Sequence, residues 1–304
     1  MTRALVMMSA LLAVGGCKPK TRDLPICPEM VAAGKATEAD TRDLPIDVWF
    51  SLLVRGFDRS GMDAGDEPRE CSGQPIAVEW PTAMSADPRA RARKLDREAR
   101  TDADISFSET ADGDLLVWAR IDTLENGDAI GPVALVRWVA RGVEIRGIGT
   151  VQAPALRVRM RLEPLGTDAR VLVLESEACP ENLQGKCPRE AQIVPLADQR
   201  FVSAPLIEAG EDAGPARFLL ADAREEPMKD GWVRRYELQR RLDFTGGKVI
   251  LQENIRSRDC DPKSPAAPCE EHVVATEERS LDFKEGALHT TPGAWEKIGK
   301  PTSP

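Results

Sequence analysis

Cys179 and Cys187 stand eight positions apart in the polar stretch ACPENLQGKCP, and Cys260 and Cys269 stand nine apart in CDPKSPAAPC. Thiols so placed can bind a metal, cycle between dithiol and disulfide, or cross-link a loop. A zinc site needs CxxC-like pairs with further cysteines or histidines nearby, and neither loop offers them. A redox pair of the CxxC kind has two intervening residues, where these loops have seven and eight. Cross-links remain, provided that the chain folds in an oxidising compartment. Other side chains point to less. His272 falls in an expected strand three residues past Cys269 and His289 in the C-terminal tail; no GxSxG, SxxK or HExxH motif surrounds either, so both read as structural. Fifty acidic residues are compatible with a glycosidase-like carboxylate pair, but no motif selects one. Asp58 to Glu67 brings carboxylates to a glycine-containing loop, yet Met62 falls where an EF-hand loop needs an oxygen ligand. That segment reads as a long acidic hairpin loop. No catalytic residue, metal or cofactor is assigned.

The N-terminus decides the compartment. Arg3 precedes an apolar run from Ala4 to Val14, too short for the roughly 20 residues of a membrane-spanning helix. It has the layout of a secretory signal peptide. Val14-Gly15-Gly16-Cys17 closes that run and resembles the lipobox of bacterial lipoproteins, with Val where Leu is commonest and Gly in place of Ala or Ser. The resemblance covers four residues. It implies cleavage before Cys17, a diacylglycerol on its thiol and often an acyl group on its new amine, two or more chains being what stable anchoring takes. Lys18 lacks the aspartate that often retains such proteins in the inner membrane, so the resemblance favours an outer-membrane address, facing the periplasm or the surface. With Cys17 set aside, six cysteines remain: Cys27, Cys71, Cys179, Cys187, Cys260 and Cys269. An even number in an exported chain reads as disulfides. Spacing favours Cys179–Cys187 and Cys260–Cys269, which leaves Cys27 for Cys71.

A net charge of −9, one unit more acidic once Arg3 is removed, argues against nucleic acid and against a broad basic face for anionic lipid. The elements that must carry the cross-links are strands. Arg157 to Leu162 alternates arginine with Val158, Met160 and Leu162; Tyr236, Leu238, Leu242 and Phe244 share one side of a later strand, broken only by Arg240. Asn126-Gly127 between apolar runs is a hairpin signal. Ile46, Val48, Phe50, Leu52 and Val54 read as an early strand. Strands with one apolar and one charged face belong to antiparallel sheets. Two departures are expected: a helix within Pro28 to Ala39, and a solvated basic helix or loop from Asp87 to Arg100.

Thr21 to Ile26 recurs as Thr41 to Ile46, a local duplication too short for a solenoid. Arg157–Glu163 and Glu237–Asp243 align eighty residues apart, and each is followed by an apolar run, a cysteine loop and a returning strand. The chain therefore reads as mainly β, an antiparallel sandwich or open half-barrel of meandering hairpins. Residues 1–16 form a signal peptide and 17–45 a lipidated tether. A first β-rich part covers 46–150, a second with a possible internal duplication 151–290, and a flexible tail 291–304. The expected role is a non-enzymatic binding or structural module held to the membrane by its N-terminal lipid, its envelope partner unidentified. The alternatives are a carboxylate-dependent envelope hydrolase and a half-barrel carrier of an apolar ligand.

Overall fold

Runs such as Leu115-Leu116-Val117-Trp118 and Val171-Leu172-Val173-Leu174 have no polar alternation because both faces of their strands are buried. The computed structural model describes residues 27, 44–57, 68–77, 101–124, 127–139, 142–165, 169–178, 187–228, 231–245, 248–261 and 269–298. Helix α1 (Ile46–Leu53) leads into β1 (Val54–Arg55), which pairs with β2 (Arg69–Glu70). A first group follows: β3 (Ile105–Glu109), β4 (Leu115–Ala119), β5 (Asp122–Thr123), β6 (Asp128–Val139) and β7 (Gly142–Pro154). The second group is β8 (Leu156–Leu165), β9 (Ala169–Glu177), β10 (Arg189–Ala197) and β11 (Arg200–Phe201). The third is β12 (Pro205–Glu208), β13 (Glu211–Pro215), β14 (Arg217–Pro227), β15 (Val233–Thr245), β16 (Lys248–Cys260), β17 (Glu270–Lys284) and β18 (Ala287–Thr290).

From β3 onward all strands belong to one 16-stranded sheet that forks at β10. One edge of β10 pairs with β9, and the other pairs first with β14 and then with β11. Pairing is antiparallel except between β7 and β11 and between β12 and β18. The sheet is thus mixed, and it does not close into a barrel. Gly149 allows the β7–β11 junction, because a Cβ there would overlap the Phe201 carbonyl. The free edges of β3 and β8 meet at a seam where the Met160 N–H donates to Ser108 Oγ at 3.3 Å, with no ladder between them.

Folding this sheet on itself produces stacked layers. The strands β4, β6 and β7 face β8, β9 and β10 across a core of Trp118, Val133, Leu135, Met160, Leu172 and Leu174. The opposite face of β9 and β10, through Val171, Val173 and Ile193, packs on Phe218, Leu242, Leu251 and Leu288 of the curling third group. The outer face of β4, β6 and β7 is covered by α1 and by Cys27, which is buried and bonded to Cys71. β4 and β9 therefore each serve two cores, and one sheet runs through β3 to β18.

Three expectations are corrected. Ile46–Leu53 is a helix, where alternation predicts a strand: Trp49, Phe50, Leu52 and Leu53 also fall at helical spacing, and covering a sheet face buries all four. Trp49 sits against Phe107 of β3, ring centroids 5.5 Å apart. His289 belongs to β18, not to the tail, and pairs with Asp282. Residues 291–298 lie on the sheet rather than trailing from it, and Trp295 is fully buried. The alternation in β8 holds in part: Met160 is buried and Val158 and Leu162 are half-buried on the same core, while Arg157 and Arg159 are exposed and Arg161 is half-buried. The hairpin at Asn126-Gly127 joins β5 to β6, with Gly127 at φ +86°; Asn126 itself lies outside the described residues. The segments matched at eighty residues are both three-stranded meanders, β8–β9–β10 and β15–β16–β17. Pro28 to Ala39 and Asp87 to Arg100 lie outside the described residues.

Candidate functional site

The interruption at Arg240 is where charge enters the protein's interior. Cross-strand register places Leu238 opposite Ile255, Arg240 opposite Glu253 and Leu242 opposite Leu251. An ion pair so lies between two apolar layers on one face of β15 and β16. The Glu253 side chain is 0% exposed and that of Arg240 3%. Glu253 Oε2 accepts from Arg240 and, at 3.2 Å, from Arg279 of β17. Its Oε1 accepts the backbone N–H groups of Ala294 at 2.9 Å and Trp295 at 3.2 Å. Both carboxylate oxygens are satisfied, as burial of an ion demands.

The groups donating to Oε1 belong to the C-terminal segment 291–298, which crosses this face as a strap. Arg240 donates a second bond to Glu296 at 2.6 Å, and Arg279 donates to the Thr291 carbonyl. From β14, Arg224 reaches the Ile298 carbonyl at 2.8 Å, its guanidinium 4.5 Å from the Trp295 ring centroid. Trp295 fills the space over Leu238 and Ile255. A Cβ at Gly293 would press on the Arg279 guanidinium and the Glu296 carboxylate, which would have to shift. Burial alone pushes the Glu296 carboxyl up; the hydrogen bond and charge of Arg240, with a backbone N–H and Arg279, outweigh it and hold the group below the usual range. This contribution to stability is complete above the ordinary glutamate pKa and lost as pH falls through the lowered value.

Beside the strap site, and sharing Arg240, a groove of about 490 Å³ opens between β8–β10 and β15. Arg161, Glu175, Arg189, Arg240, Arg241 and Phe244 line it. Glu175 lies between two guanidiniums, Arg161 and, at 3.2 Å, Arg189, while Arg161 also pairs with Glu163 at 2.9 Å and stacks over Phe244. A second recess of about 370 Å³ reaches Cys187 and shares Arg189. The charges in this groove hold one another in place, which makes a pre-organised polar surface rather than a poised nucleophile.

A separate polar cluster lies at one end of the β4–β10 interior. Asp128 is buried and accepts from Gln152 at 3.0 Å and from Arg217 at 2.9 Å. Burial pushes the nearby Glu190 carboxyl up, Arg217 pulls it down, and the charges of Asp128 and Asp222 push it up further; the net direction is up. The folded state thus binds this proton more tightly than the unfolded chain does. Stability from this source is full below the ordinary glutamate pKa and lost as pH rises through the raised value. Glu190→Gln is therefore expected to raise the melting temperature at pH 7 and to leave it unchanged near about pH 3. A lower melting temperature at pH 7 would mean that the charged form is the stabilising one.

Of the residues singled out by spacing, Cys27–Cys71 and Cys260–Cys269 are bonded to one another. Cys187 is disulfide-bonded, while Cys179, Cys17 and the loop from Asp58 to Glu67 lie outside the described residues. Cross-linking loops of nine and 44 residues contributes about 2.5 and 4 kcal/mol in the chain-entropy account. His272 is exposed on β17. Glu253, Arg279, Glu296 and Trp295 escape sequence reading; the one signal is Arg240 on an otherwise apolar face. Comparisons with protein-family models, curated proteins and solved structures give no match.

Proposed function

We propose that the protein is a lipid-anchored envelope protein whose β body is a non-enzymatic binding module. The observation that carries the binding role is the groove at Arg161, Glu175, Arg189 and Arg240, a fixed recess of a size that suits small polar ligands or peptide segments. The disulfides Cys27–Cys71 and Cys260–Cys269 support an oxidising compartment, in keeping with the lipobox-like Val14-Gly15-Gly16-Cys17. A half-barrel carrier of apolar ligands has less support, since Val171, Val173, Phe218, Leu242 and Leu251 pack against one another in a core cluster.

A carboxylate-dependent hydrolase is the second reading, favoured by one observation: the raised Glu190 carboxyl in the field of Asp128 and Asp222. The anchor is tested by fractionating bacteria that express the full chain. The unaltered chain should stay with membranes through high salt and alkaline carbonate, and Cys17→Ser should not be processed at residue 17. Identical processing and sedimentation of both chains would refute it.

A further inference from the structure

β17 spans 15 residues, yet β18 pairs only with its last three, Asp282, Phe283 and Lys284. Its other edge is held by β16 from Asp259 to Val249. Among the described residues, no strand pairs with the outer edge of β17 from Glu270 to Leu281. Val273 and Val274, 67% and 44% exposed, stand in the middle of that edge, where the ladder to β16 shifts register and Val274 is the bulged residue between Val273↔Arg256 and Ala275↔Ile255. A free edge this long is a template for another strand unless something blocks it.

Charge decides which strand. Glu270 and Glu271 lie on one side of the valines and Glu277 and Glu278 on the other; Glu271 is already paired with Arg256 at 3.0 Å and with Arg258 at 3.7 Å, so Glu270, Glu277 and Glu278 carry most of the edge's charge. A second copy pairing antiparallel about Val274 would set Glu270 against Glu278 and Glu271 against Glu277, twice over by symmetry. Like charges directly opposite destabilise a strand pair, so in this register the edge repels its own copy. A strand with basic residues at those places gains where the copy loses. The net charge of −9 draws the same kind of partner. Beside the edge, Thr276, Glu277 and Glu278 border a groove of about 540 Å³ that can take an alternate side chain of an added strand.

We infer that the outer edge of β17, Glu270 to Glu278, receives an extended segment of a cationic partner protein by strand addition, with a short β-branched centre flanked on both sides by Lys or Arg. The inference stands apart from the anchor and from the groove at Arg161, and its test leaves both unaltered.

The probe is the synthetic peptide acetyl-KKTVTVTKK-amide, titrated into the full chain in detergent, with backbone hydrogen exchange followed by mass spectrometry. Saturable binding that slows exchange in 270–278 is expected. The variant carrying Glu270→Lys, Glu271→Lys, Glu277→Lys and Glu278→Lys should bind it about tenfold more weakly or worse, and should prefer the counterpart with Glu in place of Lys. If that variant melts early, Glu277→Lys with Glu278→Lys alone carries the comparison, and exchange in the unaltered chain does not depend on either. No saturation at millimolar peptide, protection confined to the Arg161 groove, or equal affinity for both peptides would overturn the inference. So would a dimer of the unaltered chain with 270–278 protected.

Discussion

Glu253→Ala is expected to lower stability by about 3–5 kcal/mol, the cost of leaving buried charge without its partner, and to lower the melting temperature by roughly 10 °C. The side chain is wholly buried, and its removal leaves Arg240 with Glu296 alone and Arg279 without its carboxylate. It also strips the acceptor from the Ala294 and Trp295 N–H groups, so the strap should loosen before the sheet melts. Exchange at 291–298 should rise first. Glu253→Met combined with Arg240→Met should recover part of the loss, because it removes both charges of the central pair and fills their place with apolar volume. A cost below about 1 kcal/mol for Glu253→Ala would show that the cluster is solvated in solution.

Leu172→Asp should prevent folding altogether. Leu172 is fully buried in the middle of β9, and its neighbours Val171 and Val173 face a second core on the other side of the same strand. A carboxylate there has no cation within the apolar cluster, and burying it unpaired costs more than a domain's whole margin of a few kcal/mol. Arg159→Ser is the matched control: Arg159 is exposed on β8, across the ladder from Glu175, and its loss should leave the melting temperature within about 1 °C. Circular dichroism and thermal melting of the two variants separate the outcomes. Folded, cooperative Leu172→Asp protein would contradict the burial of β9 on both faces.

Period-2 alternation was enough to find β8 and β15, because each has one charged and one apolar face. It could not separate the outermost from the innermost layers. Val171 to Leu174 reads the same whether one core or two lie beside it, and only tertiary stacking makes it a central strand. Alternation points to a strand at α1 for a related reason: in Ile46 to Val54 nearly every position is apolar, so strand and helix spacing fit equally. Cys260–Cys269 followed from spacing, which is local, and Cys27–Cys71 from the parity of the remaining cysteines. The strap did not, because Pro292, Gly293 and Ala294 carry no periodicity, and Trp295 is held by Glu253 some forty residues earlier. The charged cluster was invisible for the same cause. An acid on β16, arginines on β15 and β17 and a glutamate in the strap become one group only when the register aligns them.

The proposal of a lipid-anchored binding module depends most on what the mature chain begins with. Intact-mass and N-terminal peptide analysis of the protein extracted from bacterial membranes reads that directly. The proposal requires a chain that starts at Cys17, its thiol carrying diacylglycerol. A mature protein that retains Met1, or one that starts beyond residue 17, or a Cys17 found as a free thiol, would contradict it.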